Sequence, residues 1–446
     1  MKTDPDSQTP RGGAFTRDVF SVFGTQIIVL LGAAVTSIAL ARMLGPSGKG
    51  IMAIAMLAPQ LIALAGGLGV NIANTYFAGR SEYPDRFLVG NSLLVSLVTG
   101  IPLTAVFLLW VPTFSGMFFK DPSVHYLYWT LPLVTFLLIN ENLSYLLLGH
   151  RKMMQFNFTK IWQAFSYLIF LIVLLYAMNE KIMGAIFANI LSVTATVAVA
   201  LTFMKKNGYG LSVSYHASLF RESLKFGLKG HLGTIFQYLN YRMDLLIVAY
   251  FLTVSSVGHY EVAVLVAETI WYIPNSISQI LFPKIAASDK AEADQFTPIV
   301  LRHTFYWTVL SSLVLFAISG PLIQFLFTAA FSPSILALQL LLPGIVALSI
   351  WKVLINDLTG RGYPQYRTYS TVVSLFLTIG LDFLLIPSWG IKGAAVATSV
   401  AYGVSSLLSL YWFIRLSGAG LRDLFVLRME DLRYYGEMIR SFSVGK

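Results

Sequence analysis

Residues 44–52 read Leu-Gly-Pro-Ser-Gly-Lys-Gly-Ile-Met and join two long apolar runs near the N-terminus. Residues 252–260, Leu-Thr-Val-Ser-Ser-Val-Gly-His-Tyr, join another such pair, and Leu252 corresponds to Leu44 at an offset of 208. Glycine and proline in this order favour a tight turn. Each stretch is therefore predicted to be a turn between two membrane-crossing helices.

Two later junctions recur at nearly the same spacing. Gly149-His-Arg corresponds to Gly360-Arg-Gly at an offset of 211, and Ile182-Met-Gly-Ala corresponds to Ile391-Lys-Gly-Ala at 209. Three junctions at nearly one spacing predict two similar halves of about six membrane helices each. An even helix number makes the repeats parallel, as in transporters whose two lobes surround a central cavity.

The composition predicts an all-α polytopic membrane protein. Of the 446 residues, 56% are hydrophobic and 12% are charged, whereas soluble domains are about 25% charged. Five windows without any charged residue reach the roughly 20 residues that cross a bilayer: 19–41, 50–79, 87–119, 182–204 and 303–351. The chain has no cysteine, which excludes disulfides, thiolate catalysis and cysteine metal sites.

Twelve transmembrane helices in two six-helix lobes are predicted. The spans are roughly 19–41, 52–78, 87–110, 125–148, 161–178, 182–204, 231–252, 257–282, 303–326, 335–358, 367–386 and 393–414. They divide the chain into an N-terminal lobe (1–204), a cytoplasmic linker with an interfacial helix (205–230), a C-terminal lobe (231–416) and a cytoplasmic amphipathic tail (417–446).

The distribution of Lys and Arg predicts that both termini are cytoplasmic. With that orientation, 24 of the 31 basic residues lie on the cytoplasmic side, five on the other side and two inside spans. This bias follows the positive-inside rule. It also explains the net charge of +10 without a nucleic-acid partner.

Two segments outside the spans are basic and amphipathic. In the linker, apolar residues alternate with basic ones: Leu219, Phe220, Leu224 and Leu228 with Arg221, Lys225 and Lys229. In 421–440 the apolar residues face one way: Leu421, Leu424, Phe425, Leu432, Tyr435 and Ile439. Such patterns are typical of helices on lipid headgroups. Both are interpreted as juxtamembrane anchors, with a regulatory partner site as the alternative.

The sequence offers no constellation for catalysis or metal binding. The stretch 45–50 lacks the Ser or Thr that follows Lys in a phosphate loop. The six histidines are scattered, and none has the spacing of a metal site. We therefore predict no enzymatic activity, no catalytic residue, no metal centre and no cofactor.

Ionisable residues inside the spans are the candidates for function. Each costs roughly 2.5–3.5 kcal/mol at a helix centre, so it usually faces a cavity or a partner. The candidates are Glu141, Arg242, Asp244, Glu268, Lys352, Asp357 and Asp382. At a rise of about 1.5 Å per residue, Arg242, Asp244 and Glu268 fall near the midplane. Asp357 and Asp382 lie close to predicted helix ends and are expected to reach the interface.

Two interpretations of Arg242 remain open. A short loop joins spans 7 and 8, so Arg242 can form a structural salt bridge with Glu268. Alternatively, Arg242 lines a cavity and contacts an anionic substrate. Asp244 shares a helical stripe with Gln237 and Asn240, which suits a carboxylate that couples transport to an ion.

Amide side chains inside the spans are further candidates for substrate contacts. Asn71 and Asn74 lie in span 2, and Asn240 lies in span 7. Hydrogen bonding between helices is the alternative role of such residues. Pro274 follows Glu268 by six residues, so span 8 is predicted to be the broken helix near the cavity.

The chain resembles the Wzx-type flippases of lipid-linked oligosaccharides, in the multidrug/oligosaccharidyl-lipid/polysaccharide exporter superfamily. The resemblance covers nearly the whole chain. It rests on 41–50 after span 1, Gly66-Gly-Leu-Gly-Val-Asn71, Tyr241-Arg-Met-Asp244, Gly258-His-Tyr260, Leu281-Phe-Pro-Lys284 and Ile386-Pro-Ser-Trp-Gly-Ile391-Lys-Gly-Ala-Ala395.

The resemblance implies an undecaprenyl-pyrophosphate-linked glycan as substrate and the bacterial inner membrane as location. Arg242 and Lys352 are the two cations inside spans, and a pyrophosphate requires such groups. Asp244, Glu268 and Glu141 are the expected ion-coupling carboxylates, with H⁺ or Na⁺ as the coupling ion. The expected partners are the bilayer and glycan polymerase or assembly proteins.

Three alternatives remain. Lipid II flippases of this superfamily typically have fourteen helices and more cavity arginines. The multidrug and toxin extrusion branch shares twelve helices and binds organic cations through carboxylates. A membrane scaffold for glycan assembly leaves the charges inside the spans unexplained.

Overall fold

The computed structural model describes residues 12–118 and 124–427, and every regular element in these ranges is helical. The chain divides into two compact units, Met1–Ile235 and Phe236–Lys446. Within the described residues, nine helices are long and apolar enough to cross a bilayer. The protein is therefore an all-helical membrane protein, as the sequence predicts.

The first unit contains seven helices and the start of an eighth. They are α1 (Gly12–Gly66), α2 (Val70–Arg80), α3 (Asp85–Phe118), α4 (Val124–Thr130), α5 (Pro132–Gly149), α6 (Met153–Ala177), α7 (Lys181–Lys206) and the first part of α8 (Ala217–Phe251). The division between the units falls at Ile235, inside α8.

The second unit begins with the remainder of α8. It continues through α9 (Val254–Glu268), a 3₁₀ turn (Thr269–Trp271), α10 (Tyr272–Ala287), α11 (Lys290–Phe327), α12 (Ser334–Gly360), α13 (Gln365–Trp389), α14 (Ile391–Ser417) and α15 (Leu421–Phe425). The 3₁₀ turn interrupts span 8 directly after Glu268, three residues before Pro274, where the sequence predicts a broken helix.

The turn predicted at residues 44–52 is a single-residue break. Gly45 has φ 67° and ψ −177°, and it divides α1 into two helical segments that correspond to spans 1 and 2. A residue with a Cβ rarely adopts that backbone conformation, so glycine is required there. Pro46 follows and begins the second segment, a position that proline favours.

A second break separates α1 from α2 within span 2. Gly69 has φ 72°, and its backbone approaches Gly227 of α8 so closely that a Cβ on Gly69 would lie 2.3 Å from the Gly227 carbonyl oxygen. Leu219 and Ser223 of the same α8 segment are buried. One face of the linker helix therefore packs on the first unit, and that part of its surface is not available to lipid headgroups.

Corresponding helices pack in a similar way within each unit. In the first unit, a Cβ on Gly184 of α7 would lie 3.0 Å from the carbonyl oxygen of Leu174. In the second, a Cβ on Gly393 of α14 would lie 2.5 Å from that of Leu385. Glycine permits both close approaches, and the residue pairs are offset by 209 and 211 positions.

Two helix ends near the candidate residues differ from the sequence predictions. Helix α6 begins at Met153 rather than near 161, and α13 continues to Trp389 rather than to 386. Asp382 is therefore about two turns from the end of its helix, and both Asp357 and Asp382 are fully buried. The prediction that Asp382 reaches the interface from a helix end is therefore wrong, whereas Asp357 lies three residues before the end of α12, close to a helix end as predicted.

The described part of the tail contributes one short helix. Leu424 of α15 is fully buried against the second unit, whereas Leu421 is 58% exposed, so the two leucines do not share a face as predicted. A helix of five residues makes little more than one turn, so only Leu424 of these two leucines packs into the protein. The predicted residues Leu432, Tyr435 and Ile439 lie outside the described residues.

Candidate functional site

The break in span 8 brings Arg242 and Glu268 together in the second unit. Nη2 of Arg242 lies 3.3 Å from Oε2 of Glu268, and their side chains are 36% and 18% exposed. The salt bridge envisaged from the sequence is present. Because one bond of the guanidinium group is to Glu268 and the group has five N–H donors, Arg242 also retains donors that can contact an anion.

Lys352 forms the second cationic centre of this unit. Its ammonium group donates to Oδ1 of Asn275 at 2.6 Å and lies 4.4 Å from the centroid of the Trp271 ring. Both partners neighbour the break in span 8: Trp271 ends the 3₁₀ turn, and Asn275 lies in the first turn of α10. Neither of these two partners is charged, and Glu268 interacts with Lys352 electrostatically.

Asp244 belongs to a buried network of oxygen atoms. Its Oδ2 accepts a hydrogen bond from the Tyr260 hydroxyl at 2.6 Å and another from the Thr398 hydroxyl at 3.4 Å. Its Oδ1 accepts from the Leu245 amide at 2.7 Å. The carboxylate is thus buried and faces hydroxyl groups of the protein interior.

Asp382 is a buried carboxylate that the sequence interpretation placed at a helix end. Neither of its oxygens has a hydrogen-bond partner among the described residues, and the side chain is fully buried. Its charge acts on both Asp244 and Tyr260. Buried carboxylates normally require hydrogen bonds or a cation. Together with Asp244 and Thr398, Asp382 therefore supplies oxygens that suit a proton or a small hard cation.

In the first unit, α2 and α5 bring Asn71 and Glu141 together. Nδ2 of Asn71 donates to Oε1 of Glu141 at 2.8 Å, and Glu141 is exposed. Lys160 on α6 interacts electrostatically with Glu141. Sequence reasoning assigned Lys160 to the cytoplasmic side, but α6 begins seven residues earlier, which places this cation about two turns inside the helix.

The other predicted amides are buried. Asn74 is 1% exposed and donates both to the Ser92 hydroxyl at 2.8 Å and to the Asn142 carbonyl at 3.2 Å. Asn240 is 7% exposed, and its Oδ1 has no partner among the described residues. For Asn74 the geometry favours the alternative role, hydrogen bonding between helices. Asn71 is the amide that reaches an exposed charged group.

Acidic and histidine side chains do not gather into a metal centre within residues 12–118 and 124–427. The arrangement instead offers two cationic groups in the second unit, one exposed carboxylate in the first and a buried pair of carboxylates. Charged groups of both signs at the depth of membrane helices mark a path for a polar or charged solute.

The fold is that of transporters of the MOP superfamily. An inward-facing MATE family multidrug resistance transporter of this superfamily superposes with a TM-score of 0.75 at 16% identity, covering 87% of this chain and 95% of that one. The inward closed conformation of the lipid II flippase MurJ superposes with a TM-score of 0.75 at 17% identity, covering 92% and 91%. At these identities the likeness concerns the fold alone.

Residues 39–336 match the polysaccharide biosynthesis protein family, and the chain belongs to that family. The probable low-salt glycan biosynthesis flippase Agl15 of Haloferax volcanii is 26% identical over 231 residues, 48% of this chain and 49% of that protein. The probable flippase AglR of the same organism is 26% identical over 176 residues, 38% and 37% of the two chains. The matches thus span half or less of each relative.

Proposed function

We propose that the protein is a flippase that moves a polyprenyl-pyrophosphate-linked oligosaccharide across the bacterial inner membrane for surface polysaccharide assembly. Family membership and the names of the glycan flippases it resembles support this class of activity. The substrate assignment rests mainly on Lys352, a cation inside a membrane helix that has no carboxylate bonded to it among residues 12–118 and 124–427. Arg242 adds a second cation with exposed donors.

The proposed topology has twelve spans in two six-helix lobes, with both termini in the cytoplasm. In this topology the break at Gly45 divides α1 between spans 1 and 2. Helices α4 and α5 together form span 4, and α9 and α10 together form span 8. Helix α9 has 15 residues and α10 has 16, so neither crosses a bilayer alone. Helix α8, with 35 residues, is long enough to include span 7. Alternating access in such a protein opens the substrate path to one side at a time.

Transport is proposed to draw on an ion gradient. Of the three carboxylates expected to couple to an ion, Asp244 is the one enclosed by hydroxyl groups, and Asp382 adds two oxygens without a described partner. Glu268 is instead paired with Arg242, and Glu141 is exposed. We therefore assign H⁺ or Na⁺ coupling to Asp244 and Asp382.

The ion assignment is tested by thermal unfolding of the purified protein in detergent. Na⁺ should raise the midpoint of the wild type relative to choline at equal ionic strength, and Asp382→Asn should abolish the difference. A midpoint that responds to pH but not to Na⁺, with the response lost in Asp382→Asn, would indicate a proton. An unchanged response to either ion in that variant would remove Asp382 from the proposal.

Complementation of glycan surface display in a flippase-null strain tests the function. At matched membrane abundance, Lys352→Gln and Arg242→Gln should lose display, whereas Lys225→Gln, which alters an exposed lysine of α8, should retain it. Display by all variants would assign the two cations a structural role. If the wild type gives no display but lowers ethidium accumulation, the protein is a drug exporter of the same superfamily. Display that survives loss of both cations and of Asp244 would indicate a scaffold.

A further inference from the structure

Glu141 and Lys352 occupy corresponding positions in the two units but carry opposite charges. Glu141 lies eight residues before Gly149 on α5, and Lys352 lies eight residues before Gly360 on α12. Each side chain contacts an amide on the corresponding broken helix, Asn71 for Glu141 and Asn275 for Lys352. The two units therefore carry different chemistry at corresponding sequence positions.

The first unit offers hydrogen-bond acceptors at this position. Asn71 donates to Oε1 of Glu141 at 2.8 Å, while its own Oδ1 accepts from the Ile72 amide at 2.9 Å. In the part of the chain that the structure describes, Oε2 of Glu141 accepts no hydrogen bond. Lys160 on α6 interacts electrostatically with Glu141. The site thus holds a carboxylate with an oxygen available to donors.

This geometry suits hydroxyl groups and opposes phosphate. A carboxylate accepts strong, charge-assisted hydrogen bonds from hydroxyl donors, and a sugar supplies such donors on neighbouring carbons. The same carboxylate repels a pyrophosphate, which also lacks donors in its ionised form. A membrane-embedded carboxylate that is exposed within its own unit needs a polar partner, because lipid cannot provide one.

We propose that Glu141 and Asn71 form a saccharide subsite in the first unit that binds hydroxyl groups of the glycan. The inference rests on the proposed function and adds a sugar-binding group to it. Glu141 becomes a specificity residue for the sugar rather than an ion-coupling group.

Binding of two probes to the purified full chain tests the subsite. The probes are undecaprenyl pyrophosphate and undecaprenyl-pyrophosphate-linked N-acetylglucosamine, with dissociation constants measured in detergent by native mass spectrometry. Glu141→Gln should weaken binding of the sugar-bearing probe by about tenfold, since a hydrogen bond to a charged group is worth about 1.5–3 kcal/mol. It should leave the sugar-free probe unchanged. Lys352→Gln should weaken both probes by similar factors.

The controls separate this inference from the proposed function. Glu222→Gln, which alters an exposed carboxylate of α8, should change neither dissociation constant, and a matching unfolding midpoint should show that Glu141→Gln is folded. If Glu141→Gln affects both probes equally or neither of them, the subsite is overturned while the flippase proposal stands. If the wild type binds neither probe, the flippase proposal fails and the subsite fails with it.

Discussion

The turn after α5 and the turn after α12 have the same backbone conformation but different charged side chains. The His150 amide donates to the Leu146 carbonyl at 2.9 Å, and the Arg361 amide donates to the Asp357 carbonyl at 2.9 Å. The next residue has a positive φ in both turns, 57° at Arg151 and 92° at Gly362. One chain conformation therefore recurs at an offset of 211 residues.

Each turn also contacts the first turns of another helix through an acidic residue. In the first unit, Nε2 of His150 lies 3.2 Å from Oδ1 of Asp85 on α3. In the second unit, Arg361 contacts Asp294 on α11 at 2.5 Å and Asp357 at 2.7 Å. The contact thus depends on a titratable imidazole in the first unit, whereas in the second unit a permanently charged guanidinium contacts two carboxylates. The two turns therefore keep one backbone conformation while their charge chemistry differs.

Removing the arginine should have the largest effect. Arg361→Gln leaves Asp357, which is fully buried, without its cation, and breaking a buried ion pair costs about 3–5 kcal/mol. His150→Gln should cost no more than about 1 kcal/mol, because Asp85 is 39% exposed and water can replace the lost contact. Denaturant unfolding in detergent measures both changes in free energy. Equal losses would show that the second carboxylate adds nothing.

The close helix contacts provide a second comparison. Gly393→Ala places a Cβ 2.5 Å from the Leu385 carbonyl oxygen, whereas Gly184→Ala places one 3.0 Å from that of Leu174. Overpacking typically costs about 1–3 kcal/mol, and we expect Gly393→Ala near the top of this range and Gly184→Ala near the bottom. The midpoints of thermal unfolding should follow the same order. Gly24→Ala is the control, since a Cβ there has no neighbour within 4 Å.

Substituting the positive-φ residue of each turn should have a smaller effect on stability. A left-handed residue with a Cβ costs about 1–2 kcal/mol, and Arg151 is such a residue. Arg151→Gly should therefore raise the free energy of unfolding by up to about 1 kcal/mol, and Gly362→Ala should lower it by a similar amount. If both variants lower stability, the side chain of Arg151 contributes more than its backbone conformation costs.

The smallest expected difference between the two turns is in how stability depends on pH. Burial lowers the pKa of the His150 imidazole, and Lys152 adds to this, while Asp85 opposes it. The folded state then resists protonation more than the unfolded state, whose pKa is about 6.5. The stability of the wild type should therefore fall as the pH drops below that value. His150→Arg should remove this part of the pH dependence, measured as the difference in unfolding midpoint between neutral and acidic buffer.

The arginine turn provides the contrast in the same experiment. Burial alone lowers the pKa of Arg361, but its hydrogen bonds to Asp357 and Asp294 outweigh burial and raise the pKa above the ordinary value. Arg361 therefore stays charged at every accessible pH. Arg361→His should therefore make the unfolding midpoint depend on pH, as it does for the wild-type His150 turn. If the midpoint of this variant does not change in acidic buffer, the neighbouring carboxylates and not the residue type determine the pH dependence.

Local signals in the sequence were sufficient for the elements that depend on local chemistry. The break at Gly45 follows from Gly-Pro-Ser-Gly, and the interruption of span 8 follows from Pro274 after Glu268. The pairing of Arg242 with Glu268 followed from a short loop and similar depth. Each of these depends on residues that are near one another in the chain.

Features that depend on helix length or distant packing were not predicted. Asp382 was placed near the end of a span predicted to stop at 386, but α13 incorporates Pro387 and continues to Trp389. The span predicted to begin near 161 left out Lys160, yet polar residues before the apolar run also join α6. Apolar periodicity does not reveal where a helix begins among polar residues.

The short helix α15 has a consequence for the order in which the protein is made. Arg302 of α11 donates to the carbonyl oxygen of Asp423, and Tyr306 donates to that of Phe425 at 2.9 Å. The first bond joins residues 121 positions apart, and ribosomes add about 5–20 residues per second. At that rate, the acceptor is synthesised roughly 6–24 s after Arg302. Helix α11 therefore makes these two contacts only after residues 423–425 have been synthesised, so a ribosome stalled before codon 421 holds a chain whose ninth predicted span still lacks both of them.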